Sequence, residues 1–136
     1  MIEKTRDVST PRYSHEGDAG LDLCSAEDVV LEPMQRRVIS TGIKVALPKG
    51  YVGLIWDRSG LASRSSLHCL AGVVDSSYRG EVGVVMINLG KQPFKIEKNM
   101  RIAQFLVQPV IRAEISPVDR LPDTERNAKG FGSTGL

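Results

Sequence analysis

Short apolar runs rich in β-branched residues recur along the chain at intervals of about ten positions, each closed by Gly, Pro, Ser, Asp or Asn. Residues 1–6 read as an edge strand and 21–25 as a short one, followed by runs at 29–31, 37–40, 43–47 and 51–56. Further runs stand at 71–74, 82–87, 94–96, 101–109 and 113–118. Glu32-Pro33, Thr41-Gly42 and Pro48-Lys49-Gly50 supply turns between them. Many short strands at this spacing predict an all-β domain, a distorted jelly roll or sandwich-like barrel with at most one short helix. The helix belongs to residues 58–66, RSGLASRSS, where Ser59 is placed to cap one turn or two. No heptad and no internal repeat competes with this reading.

A chain of 136 residues is one domain with room for a core. Its net charge of +2 comes from interspersed acids and bases, so no basic stripe marks a stable nucleic-acid partner. No apolar run is long enough to span a bilayer, and residues 1–10 lack the apolar segment of a signal peptide. Cys24 and Cys69 are solitary, which predicts two reduced thiols in an intracellular protein, cytoplasmic or nuclear, or virion-associated if viral. Neither cysteine has the spacing of a zinc site with His15 or His68.

Chemistry concentrates at residues 70–88, LAGVVDSSYRGEVGVVMIN. Two apolar runs around a polar centre predict a β-hairpin, with Val82, Val84 and Met86 on one face and Glu81, Gly83, Val85 and Ile87 on the other. Its tip sets Asp75, Tyr78 and Arg79 close together, between glycines Gly72, Gly80 and Gly83 that let backbone approach a ligand. A solvated turn explains the tip as well when it is taken alone. Arg58-Ser59-Gly60 offers a guanidinium, a hydroxyl and a glycine to an anion, and equally an ordinary helix start. Gln104, inside an apolar strand, either faces solvent or bonds something specific. Residues 121–136 are poor in apolar groups and read as a mobile arm, or as a plain linker. Within the arm, residues 130–135 satisfy G-x-G-x-x-G, but no strand precedes and no helix can follow, so the dinucleotide reading fails. What remains is anion-binding chemistry: small residues, the Arg126 guanidinium and the stacking face of Phe131. Together these features suggest a phosphorylated aromatic ligand.

The chain resembles the trimeric dUTPase family in five stretches taken in order. They are Ala19-Gly20-Leu21-Asp22-Leu23, Arg58-Ser59-Gly60-Leu61-Ala62, residues 72–81 (GVVDSSYRGE), Arg101-Ile102-Ala103-Gln104, and Arg126 with the GFGSTG run. The resemblance implies a jelly-roll domain over residues 1–118 and a flexible arm over 119–136 that closes on the active site. It implies a homotrimer with sites shared between subunits, no membrane partner, and Mg²⁺-assisted hydrolysis of dUTP to dUMP and pyrophosphate. That reaction keeps uracil out of DNA and supplies dUMP for dTMP synthesis.

Carried onto these residues, Asp75 would activate the attacking water. Tyr78 would pack under the deoxyribose, and backbone near Gly72 and Gly83 would pair with uracil. Arg58, Ser59, Gly60, Gln104 and Arg126 would hold phosphates, Phe131 would cover the base, and Gly132, Ser133 and Thr134 would wrap the triphosphate. Asp22 would stand near the metal, touching it through water.

The sequence departs from the family pattern at three places: Asp57 stands where Pro is common, Cys69 where some members have Asn, and Lys129 in a stretch usually richer in Gly. A carboxylate at position 57 would be expected either to pair with Arg58 or to repel phosphate. A dCTP deaminase shares parts of the motifs, and a nucleotide sensor would share the binding residues. The paired DSSYRG and GFGSTG runs favour hydrolysis over both.

Overall fold

The computed structural model describes residues 1–128 and 130. Its elements are β1 (Ile2–Lys4), β2 (Leu21–Cys24), β3 (Val29–Leu31), β4 (Arg36–Val45), β5 (Tyr51–Asp57), α1 (Ser59–Ser65), β6 (Leu67–Leu70), β7 (Val73–Val74), β8 (Glu81–Asn88), β9 (Phe94–Ile96) and β10 (Arg101–Pro109). One sheet runs β1-β4-β8-β6 and a second β2-β10-β5-β7, with β3 and β9 paired apart from both. Every registered pair is antiparallel. The expected all-β fold is present, and neighbours in sequence fall into different sheets, as in a jelly roll.

Alternation builds the core. In β8 the side chains of Val82, Val84, Met86 and Asn88 are buried while those between them are half-buried, the two faces expected from the sequence. They meet Ile39 and Ile43 of β4, and Leu23, Ile55, Ile102 and Phe105 from the other sheet, in one cluster. Leu31, Ile39, Ile96 and Ile102 are shut off from water completely, each contributing about 1.5–3 kcal/mol of burial. Asn88 is polar yet buried because all of its amide is used: Nδ2 donates to the carbonyls of Leu31 and Gln92, and Oδ1 accepts from the Gly90 N–H.

Four expectations are corrected. Residues 70–88 are not a hairpin: β7 pairs with β5 in one sheet, and β8 pairs with β4 and β6 in the other. The chain changes sheet at Ala71 and Gly72, both at positive φ (62° and 114°), and the Gly72 carbonyl accepts the Ile55 N–H at 2.8 Å. Residues 36–45 form one strand rather than two, because Thr41-Gly42 makes an irregularity in the β4–β8 pairing instead of a turn. Ser59 does not cap α1; Arg58 holds the N-cap position with no side-chain cap, and Ser66 closes the far end in the left-handed conformation. No strand forms over residues 113–118, since Val110 makes a backbone bond to Gly50 and the exposed chain then leaves the sheets.

Candidate active site

Two clefts carry the chemistry. The first, about 250 Å³, lies where β7 turns back into β8 and is lined by Gly72, Asp75, Tyr78, Glu81 and Gly83. The Tyr78 N–H donates to the Asp75 carbonyl at 3.0 Å, closing the turn, and leaves Asp75 exposed at its lip. The Tyr78 hydroxyl donates to the Glu81 carbonyl at 3.0 Å, drawing the ring across Gly80. A Cβ at Gly80 would stand 2.3 Å from that hydroxyl oxygen, so this ring position requires glycine. Arg79 folds onto the turn itself, its Nη1 donating to the Ser76 and Tyr78 carbonyls.

Glu81 lines the same cleft, and its carboxylate is held by several partners. It accepts from the Ser40 hydroxyl, from the Gly42 N–H at 3.1 Å and from the Thr5 hydroxyl at 3.0 Å, and Arg6 stands 3.6 Å away. Those hydrogen bonds, the one from Ser40 foremost, hold its carboxyl below the ordinary range despite partial burial. Glu81 ties the turn to β4 and to the residues that follow β1. Its position opposite the buried face of β8 was visible in the sequence; its partners, 39 to 76 residues away, were not.

The second cleft, about 200 Å³, is lined by Asp22, Arg58, Ser59, Gly60, Arg101 and Gln104, together with the 14–20 loop. Asp22, on β2, accepts from the Ser14 hydroxyl at 2.6 Å and faces Arg58 Nε at 3.4 Å and Arg101 Nη1 at 3.3 Å. Burial alone would raise its pKa, but the hydrogen bonds from Ser14 and Arg101 and the two guanidinium charges outweigh that and hold it down. Asp22 therefore aligns two arginines at the cleft wall. Arg58 Nη1 also donates to the Arg101 carbonyl, and Gln104 Nε2 donates to the Asp57 carbonyl at 2.8 Å, the specific partner its place in an apolar strand demanded. Ser14 was not singled out in the sequence and Arg101 was given no role within its recognised stretch, because their link to Asp22 spans the loop and β10.

The Asp57 carboxylate neither pairs with Arg58 nor enters this cleft. Its partners are His68 Nδ1, at 2.7 Å, and the Cys69 N–H, at 2.5 Å, both on β6. The Cys69 thiol, buried and beside that carboxylate, is pushed up to about 12 and is no nucleophile. Of the arm residues, Arg126 lies in exposed chain, whereas Phe131, Gly132, Ser133 and Thr134 lie outside the described residues. Among the described residues no three of His, Cys, Asp and Glu gather as a metal cage, and no helix is long and apolar enough to cross a membrane.

Comparison with known proteins identifies the family. The dUTPase family model matches residues 6–135. The deoxyuridine 5'-triphosphate nucleotidohydrolase of Clostridium novyi is 45% identical, with 100% of this chain and 98% of that protein covered. The enzyme of the same name from Alkaliphilus metalliredigens is 48% identical, covering 93% and 89%. Among solved structures, a Staphylococcus bacteriophage 80alpha dUTPase mutant with dUpNHpp superposes with a TM-score of 0.93 at 32% identity, covering 100% of this chain and 98% of that one. A mutant dUTPase of phage phi11, whose structure concerns coordination of a structural Mg(II) ion, does so at 0.84 and 28%, covering 90% and 98%. The chain belongs to the dUTPase family, the dUTP diphosphatases that hydrolyse deoxyuridine triphosphate.

Proposed function

We propose that the enzyme cleaves dUTP to dUMP and pyrophosphate by attack of an Asp75-activated water at the α-phosphate, in a homotrimer whose sites combine residues of different copies. The observation that carries this is the separation of the two clefts. The one with Asp75 and Tyr78 and the one with Arg58, Ser59 and Gln104 have no lining residue in common. The first suits a base and a sugar, the second a chain of phosphates. A nucleotide seated in the first cleft of one copy meets phosphate donors from the second cleft of another.

Exposed, strandless chain over residues 111–128, with Ile111, Ile115, Val118 and Leu121 uncovered, is suited to reach such a neighbour. By this reading residues 1–118 form the catalytic body, and 119–136 the arm that brings Arg126, Phe131, Gly132, Ser133 and Thr134 to the nucleotide. The reaction removes dUTP before it enters DNA and yields dUMP for dTMP synthesis. It takes place inside the cell, or in a virion if the source is viral.

Attack at phosphorus surrounded by anionic oxygens requires charge neutralisation and an in-line water more than covalent chemistry. The donors at Arg58, Ser59, Gly60 and Gln104 supply part of that, and Asp75 takes the proton from water. Mg²⁺, when bound, neutralises phosphate charge and orients the triphosphate. The donor set fits a metal held mainly by substrate oxygens and water, with Asp22 reaching it only through water because Ser14, Arg58 and Arg101 already engage its two oxygens. Uracil is read by backbone around Gly72 and Gly83, where fixed polar groups penalise the wrong base.

Two experiments test this reading. Asp75→Asn and Arg58→Ala homotrimers, each inactive, are mixed and allowed to exchange subunits. Activity should appear that neither parent has, and its absence despite verified exchange would exclude shared sites. Gly80→Ala should displace the Tyr78 ring from its seat. Hydrolysis of UTP should rise relative to dUTP, measured as the ratio of the two kcat/KM values. An unchanged ratio would take sugar discrimination away from Tyr78.

A further inference from the structure

We infer that Asp57 is a positioning residue for the triphosphate, gripping β6 so that the end of β5 holds the phosphate-binding groups in place. The inference rests on the reading that the cleft of Arg58, Ser59 and Gln104 receives the phosphates.

Alternation along β5 puts Gly53, Ile55 and Asp57 on one side, the side that faces the core, and Trp56 on the other. Asp57 sits at the rim of that side, where β5 of one sheet passes β6 of the other. Both carboxylate oxygens are used across the gap: Oδ2 with His68 Nδ1 at 2.7 Å, and Oδ1 with the Cys69 N–H at 2.5 Å. Burial of Asp57 works against its charge, but these two bonds and the His68 charge prevail and keep the carboxyl below its ordinary range. Asp57 lines a cleft of about 440 Å³ with Trp56, His68 and Cys69, which adjoins the cleft of Asp75 at Gly72 and Val73 but shares no residue with that of Arg58, so its carboxylate does not face an anion bound there.

The main chain of the same residue holds groups that line the phosphate cleft. Its carbonyl takes the Gln104 amide at 2.8 Å, and the next residue, Arg58, reaches Asp22 and the Arg101 carbonyl. Beyond it, α1 has no fully buried residue and no side-chain cap, and Leu61, half-buried against the core, is its main apolar anchor, so the strand end that precedes the helix helps to place its first turn. The grip on β6 anchors both ends of the segment that carries Arg58, Ser59 and Gly60. A carboxylate with two charge-assisted bonds does here what the fixed φ of a proline would do in a strand end.

The test is calorimetric binding of dUpNHpp with Mg²⁺, and of dUMP, to the intact protein and to Asp57→Ala and Asp57→Asn. Wild type that binds neither nucleotide would refute the site reading itself. With wild-type binding in hand, Asp57→Ala should lose triphosphate affinity by about 10–100-fold. Affinity for dUMP, which lacks the two terminal phosphates, should stay nearly constant, and in turnover the loss should fall on KM more than on kcat. Asp57→Asn keeps an acceptor for the Cys69 N–H and a polar partner for His68, and should recover most of the affinity. Parallel loss for both nucleotides would mean a general structural role, and unchanged triphosphate affinity would mean none. Either result overturns the inference. Should Asp57→Ala fail to fold, His68→Ala removes one of the two bonds and decides the matter. A smaller loss confined to the triphosphate supports the grip, and no loss refutes it.

Discussion

Replacing Asp75 with Asn should lower dUTP turnover by about 10²–10⁴-fold while the nucleotide still binds. The expectation follows from what else lines the cleft. The other carboxylate there, Glu81, is engaged by the Ser40 and Thr5 hydroxyls, the Gly42 N–H and the nearby Arg6, and its pKa is lowered by those bonds. It lacks both the free lone pairs and the basicity to take over. Asp75 stands exposed at the lip, held among the described residues through its main chain by the turn to Tyr78, and its side chain is available to water. Asn keeps the shape and loses the proton acceptor. Single-turnover release of pyrophosphate, measured beside calorimetric binding of dUpNHpp, separates the two effects. Near-normal release would remove Asp75 from the chemistry, and loss of binding would make it a ligand for the nucleotide or its metal instead.

How much of this could be read from the chain depends on the range of the interaction. The period of two along 81–87 assigned those side chains of β8 to their proper faces, because alternation is a local property of the strand. It could not name the strand's partners. Runs that are close in sequence usually pair, which made 71–74 and 82–87 look like a hairpin. Left-handed backbone at Ala71 and Gly72 sends the first to the other sheet, and φ at an alanine leaves no mark in composition. The same blindness affected Asp57. Adjacent in sequence to Arg58, it suggested a local pair, whereas strand geometry directs its carboxylate to β6, where His68 waits 11 residues later. Gln104 stood out because an amide in an apolar strand either faces solvent or bonds something specific, and only the fold decided for the second and identified the partner as the Asp57 carbonyl. The recognised motifs supplied chemistry that no periodicity contains, and the fold divides the first four between two clefts, a division that linear order conceals.

Deleting residues 127–136 should leave melting temperature and oligomeric state almost unchanged while turnover falls by orders of magnitude. The stability half of this follows from the body. The last strand ends at Pro109, and every residue of the buried cluster lies between Val8 and Phe105. Residues 111–128 form no strand or helix and are exposed, with contacts such as Arg120 to Asp123 and Thr124 to Asn127 that stay within the segment. The deleted stretch, NAKGFGSTGL, holds few apolar side chains, so the core should lose little when the chain stops at 126. The activity half follows from the chemistry of what is removed: Phe131 with its π-face, and Gly132, Ser133 and Thr134 with their backbone N–H groups and hydroxyls. Holding such a stretch over a ligand costs about 1–2 kcal/mol per residue in backbone entropy, so only a highly charged, stackable nucleotide is able to offset it. Once the arm is seated, water is excluded and each electrostatic contact to the phosphates strengthens. Calorimetric melting, sedimentation velocity and steady-state turnover on the truncated protein address the three claims separately. A protein that unfolds would make the arm part of the scaffold, and one that keeps full activity would show that the two clefts suffice without it.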